Sequence, residues 1–118
     1  MAARAQMVGS LVANSLDAAA EYTNMYLDAA ERILQSEETS SLTIQLPSAG
    51  PDHSDWRRSL ARDLARKYAP KRVNVVSGDA PDEIAKVLTY LRNAPGVTGQ
   101  YFACHEGIRI TQAGFDRG

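Results

Sequence analysis

The chain has 118 residues, 44% hydrophobic and 23% charged, with 13 Lys+Arg against 14 Asp+Glu and a formal net charge of −1. This size and apolar share fit one domain over residues 1–118 and exclude a disordered, collagenous or disulfide-built chain. The near-zero charge argues against nucleic acid as a partner, and no apolar run reaches the roughly 18 residues of a membrane-spanning helix.

The single thiol, Cys104, precludes an internal disulfide, so a cytoplasmic setting is expected. The Ala-rich N-terminus is not read as a signal peptide, because Gln6, Gly9, Ser10, Asn14 and Asp17 interrupt its apolar stretch. Val8, Leu11, Val12, Ser15, Ala19, Tyr22, Tyr26, Ala29 and Ile33 recur at helical spacing, which predicts one long helix over residues 8–35. Leu16, Ala20, Met25, Leu27 and Leu34 lie off that stripe and widen the apolar circumference, so a second contact surface is expected.

After a polar stretch at 35–41, SLTIQLP at 41–47 is β-prone and stops at Pro47, and residues 48–52 read as a loop. Trp56, Leu60 and Leu64, with Ala61 and Ala65 beside them, predict a second helix that Pro70 closes. RVNVVSG at 72–78 is a second strand. Pro81, Asp82 and Glu83 suit the start of a third helix, whose stripe is Ile84, Val87, Leu88 and Leu91. TGQYFACHEG at 98–107 is a third strand, and IRITQAGFDRG is left open between an extension of the sheet and a tail.

Helix and strand alternate throughout, which predicts an α/β domain with a small parallel sheet of about three strands and three helices, joined by right-handed crossovers. The expected core is Leu42, Ile44, Leu46, Leu60, Leu64, Val73, Val75, Val76, Ile84, Val87, Leu88, Tyr101 and Phe102.

Four pieces occur in one order over about 50 residues: Ser59-Leu60-Ala61 with Asp63-Leu64-Ala65, then Arg72-Val73-Asn74, then Asp82-Glu83-Ile84-Ala85 with Leu88 and Leu91, then Val97-Thr98-Gly99-Gln100. Together they resemble the C-terminal half of the short-chain dehydrogenase/reductase family. The resemblance implies a truncated Rossmann-like three-layer unit, in which residues 41–50 are the strand and turn that end at the family's active-site serine. Ser48 is the candidate for that position, and Asn14 for the family's helix asparagine.

The departures bear on function. A Gly-rich turn that lets the backbone approach a dinucleotide pyrophosphate is absent, since Gly9 stands alone in its segment. The nucleotide-binding half therefore reads as missing. The family's Tyr-x-x-x-Lys pair is absent too: the interval from Ser48 to Ser59 reads AGPDHSDWRRS, and Lys67 and Tyr68 lie too far along the helix, at the wrong spacing. Cys104-His105-Glu106 also departs from the family's last strand.

Other chemistry is thinly represented. Cys104 and His105 point to opposite faces of a regular strand. His53 with Asp52, Asp55 and Glu106 has no metal-ligand spacing, so no metal is expected and a polar surface loop is the reading. Arg57, Arg58, Arg62, Arg66, Lys67, Lys71 and Arg72 make the second helix and its exit basic, which reads as a solvated face diluted by Asp55 and Asp63.

The expectation is a non-catalytic dehydrogenase-like assembly module with no cofactor of its own. It would form a homo-oligomer, or a hetero-oligomer with a dehydrogenase-like subunit, through Leu11, Val12, Tyr22, Met25, Tyr26, Ala29, Ile33, Trp56, Leu60 and Leu64. The alternative is a split active site, completing an NAD(P)-dependent reductase formed with another chain. A third reading is an unrelated small α/β binding domain with the basic helix as its ligand site.

Overall fold

The computed structural model describes residues 2–104, 108–111 and 114–117. Its first element is a strand, β1 (Ala2–Met7), which pairs in parallel with β2 (Thr39–Leu46). The single helix expected over 8–35 is thus corrected. Gly9, Ser10 and Asn14 stop the helical periodicity from running back to Val8. Asn14 is an N-cap whose Oδ1 accepts the Asp17 backbone N–H at 3.1 Å, which starts α1 (Ser15–Met25).

At Tyr26 (φ −126°) α1 gives way to α2 (Leu27–Gln35). The Tyr26 carbonyl there accepts the Ala30 N–H at 3.1 Å and also the Gln6 side-chain amide at 2.9 Å, which ties the junction of the two helices to β1. After β2, a turn of 3₁₀ helix at Pro51–His53 runs into α3 (Ser54–Lys67), followed by β3 (Arg72–Ser77), α4 (Pro81–Arg92) and β4 (Tyr101–Ala103).

The sheet order is β1-β2-β3-β4, all parallel, so the α/β class holds with four strands and four helices rather than three of each. The last stretch forms a separate antiparallel pair, β5 (Ile108–Thr111) and β6 (Gly114–Arg117), and does not extend the main sheet. His105 and Glu106 lie outside the described residues.

Side-chain alternation gives the sheet two unlike faces. Leu42, Ile44, Leu46, Val73 and Val75 point towards the first two crossovers, where they pack with Tyr22, Ala30, Leu34, Ala61 and Leu64. Val76 and Phe102 point the other way and meet Val87 and Leu91 of α4. Full burial of such a side chain contributes about 1.5–3 kcal/mol relative to leaving it in water. All three crossovers step in the same direction across the sheet, so the one that carries α4 over the opposite face has the opposite hand. The expectation of uniformly right-handed crossovers is corrected accordingly. Leu60, Ile84, Leu88 and Tyr101 of the expected core are only half-buried.

Two of the pieces that carry the family resemblance, at 72–74 and 97–100, interlock here. Asn74 is 3% exposed; its amide donates to the Val97 carbonyl and its Oδ1 accepts the Gln100 N–H, both at 3.1 Å. The Val73 N–H donates to Thr98 Oγ1, and the Gly99 N–H returns to the Val73 carbonyl at 2.7 Å. Gly99 sits at φ +73°, a conformation that glycine adopts without the Cβ penalty. These motifs are scaffold: they fasten β3 to the loop that leads into β4.

Candidate functional site

Two surfaces concentrate the side chains that can act. The first is the cleft at the carboxyl ends of β1 and β2, where open α/β sheets take their ligands. The loop over residues 9–13 and the loop over residues 47–50 enclose a cavity of about 410 Å³, with Asp52, His53 and Arg57 on its wall.

Ser48 is exposed on that wall, and its backbone N–H donates to Asp79 at 3.4 Å. No described residue supplies a hydrogen-bonded base for its hydroxyl. His53 is not one. It is 5% exposed, its Nδ1 accepts from the Trp56 indole N–H at 3.2 Å, and its Nε2 lies 2.9 Å from the Ala13 carbonyl. An indole only donates and a carbonyl only accepts, so the ring is the neutral Nε2–H tautomer with both nitrogens committed. It is a buried strut between α3 and the 9–13 loop, which corrects the surface-loop reading. Among the described residues no group of His, Cys, Asp and Glu is placed to hold a metal ion.

Arg57 is the larger correction. It is 1% exposed rather than part of a solvated basic face. Its Nη1 donates to the Pro47 carbonyl at 2.9 Å and to the Tyr101 hydroxyl at 3.2 Å, and that hydroxyl lies 2.9 Å from Ser77 Oγ. Its guanidinium carbon is 5.2 Å from the Trp56 ring centroid and 5.8 Å from that of Tyr101. The signal was in the spacing: Arg57 precedes the buried Ala61 and Leu64 by four and seven residues, on the inward stripe of α3.

Of the other basic residues, Arg58, Arg62 and Arg66 are exposed as the solvated-face reading expects, Arg58 and Arg66 beside Asp55 and Asp63. Lys71 donates to the Leu34 and Ser36 carbonyls, and Arg72 caps the end of α4 through the Leu91 and Ala94 carbonyls. Cys104 is buried, with Sγ 4.0 Å from the Glu83 carbonyl. Burial, with Glu83 nearby, pushes its thiol up to about 11, so it is not poised as a nucleophile.

The second surface is the outer face of the helical layer. A groove of about 450 Å³ runs between α1–α2 and α3, and Tyr22, Trp56, Leu60 and Leu64 line it together with Leu27, above Glu31 and Lys67. Tyr22 is also core: its hydroxyl donates to Gln6 Oε1 at 2.7 Å, and burial raises its pKa. Of the other expected interface residues, Met25 is exposed on α1, and Tyr26, Ala29 and Ile33 are half-buried. Leu11 and Val12 lie instead on the wall of the cleft.

A family model described as short chain dehydrogenase-like protein matches residues 6–104, most of the chain. The chain belongs to this short-chain dehydrogenase-like family. No curated protein and no solved structure matches it. Within this member, the loop that joins β1 to α1 holds one glycine, Gly9, followed by Ser10, Leu11 and Val12, and the Asn14 side chain already takes the Asp17 amide at the start of α1. Those residues do not fit a dinucleotide pyrophosphate, which needs a close-approaching glycine turn and free amides at the helix start. Among the described residues no helix is long and apolar enough to cross a membrane.

Proposed function

We propose that this member of the short-chain dehydrogenase-like family is an assembly subunit, non-catalytic on its own, that associates through the outer face of α1, α2 and α3 with a second copy or with a dehydrogenase-like chain. The observation that carries this reading is the groove in which Tyr22, Leu27, Trp56, Leu60 and Leu64 line an open apolar channel between helices. Leu16 and Met25, at 78% and 66% exposure, extend the apolar surface of α1 outside it. Catalysis of the family's kind needs a phenol and an ammonium near the serine, and the residues between Ser48 and Ser59 include neither.

The unpaired side of β1 favours a second reading. Among the described residues β1 has β2 as its one neighbour, which leaves a row of backbone groups open to another strand. A partner that pairs there would extend the sheet and complete a split NAD(P)-dependent reductase at the cleft. Purification of the chain from its own cells separates the two. A self-complex without cofactor-linked turnover supports the assembly subunit; a complex whose NAD(P)H turnover disappears when this chain is removed supports the split enzyme. A chain recovered free of any partner, and monomeric, contradicts both.

A further inference from the structure

Arg57 is held out of water without a matching anion. The exposed Arg4, Arg32, Arg58 and Arg66 each lie beside a carboxylate, whereas no described carboxylate comes within 4.0 Å of Arg57. Its contacts are neutral: two oxygen acceptors, both on Nη1, and two aromatic faces. Its Nε is buried with no acceptor among the described residues. A buried charge without a partner is costly, and buried charges are ordinarily paired.

With Nη1 engaged, the remaining edge of the guanidinium is the one formed by Nε and Nη2. Its two parallel N–H vectors match two oxygens of one carboxylate or phosphate group. Arg57 stands on the wall of the 410 Å³ cavity, which Ser10 and Ser48 also line. One carboxylate, Asp52, shares the wall; it is 67% exposed and lies 4.0 Å from His53, a weak counter to the buried cation.

We infer that this cavity binds an anionic small molecule by its carboxylate or phosphate group, with the Arg57 guanidinium as the charged contact and the Ser10 and Ser48 hydroxyls as further donors. The inference does not depend on the assembly reading, because it concerns the cleft at the strand ends and not the groove between helices.

Trp56 is the chain's one tryptophan and packs against the guanidinium, so its fluorescence reports on the site. The full chain is titrated with sodium acetate and, separately, with sodium phosphate, at fixed protein concentration and with ionic strength held constant by sodium chloride. A saturable change is expected for at least one. The salt with the lower midpoint assigns the ligand to carboxylates or to phosphate esters. Arg57→Gln removes the response. Because that variant removes a buried strut and can fail to fold, Ser48→Asp is measured beside it: it keeps Arg57, puts a carboxylate into the cavity, abolishes the saturable response and raises the thermal midpoint. No saturation with either salt in the parent chain, or saturation that persists in Ser48→Asp, overturns the inference.

Discussion

The Tyr101 hydroxyl joins Arg57 Nη1 at 3.2 Å to Ser77 Oγ at 2.9 Å, so one phenol oxygen ties α3, β3 and β4 together. Arg57 and Ser77 are buried and Tyr101 half-buried, which makes the junction sensitive to the loss of any one member. Tyr101→Phe keeps the ring against the guanidinium and deletes only the oxygen. It is expected to destabilise the fold by about 1–3 kcal/mol, the cost of leaving buried partners unsatisfied. Urea unfolding of Tyr101→Phe, Ser77→Ala and the double variant checks this: the double variant should lose clearly less than the two single losses together.

Gly99 is the backbone counterpart. At φ +73° it turns the chain into β4 while its N–H holds the Val73 carbonyl. A Cβ there has room, with Ala65 Cβ 3.5 Å away, so the penalty of Gly99→Ala is conformational and not steric. The expected loss is about 1–2 kcal/mol, typical of an L-residue forced into the left-handed region. An unchanged denaturation midpoint would show that the turn relaxes.

Much of this fold is legible in the sequence, and the failures have physical causes. The runs at 41–46 and 72–77 read as strands because their apolar residues are β-branched or alternate, and both lie in the parallel sheet. Residues 2–7 hide a strand because Ala, Arg and Gln have little β preference; what holds them extended is pairing with β2, a tertiary effect. In the cleft, Ser48 was visible through the resemblance. Arg57 was not, because a charged residue among six other basic ones reads as surface until the inward stripe through Ala61 and Leu64 is followed back to it. The Tyr101–Ser77 contact joins residues far apart in sequence, and no local pattern encodes it.

Glu31 links α2 to α3 and brings a pH dependence. Its carboxylate accepts from the Lys67 ammonium and the Tyr68 hydroxyl, each at 2.5 Å, and these bonds, Lys67 first, hold its pKa below the usual carboxylate value. A carboxylate depressed in the folded state contributes stability that is present above its unfolded pKa and lost as pH falls through the folded one. Glu31→Gln should therefore be less stable than the parent at neutral pH, and the gap should close in acid once Glu31 is protonated. A gap that persists at the lowest pH at which both fold would assign the effect to packing.

Cys104 should be slow towards thiol reagents. With its pKa raised to about 11 by burial and then by Glu83, little thiolate exists at pH 8. A group raised in this way contributes stability below its unfolded value, near 9, which is lost as pH climbs towards 11. Labelling by a disulfide reagent at pH 8 should follow unfolding, faster in denaturant by orders of magnitude. Rapid stoichiometric labelling of the native chain would show that the residue is accessible after all.

The assembly claim is tested most directly by the native mass of the purified chain, measured by light scattering from dilute to concentrated solution alongside Met25→Glu and Leu60→Glu. The account predicts a parent that reaches at least twice the mass of one chain, or that does so on meeting its dehydrogenase-like partner. Both variants should stay monomeric while they keep the parent's helical signal. A parent that remains monomeric under both conditions, or variants that assemble as well as the parent, would contradict it.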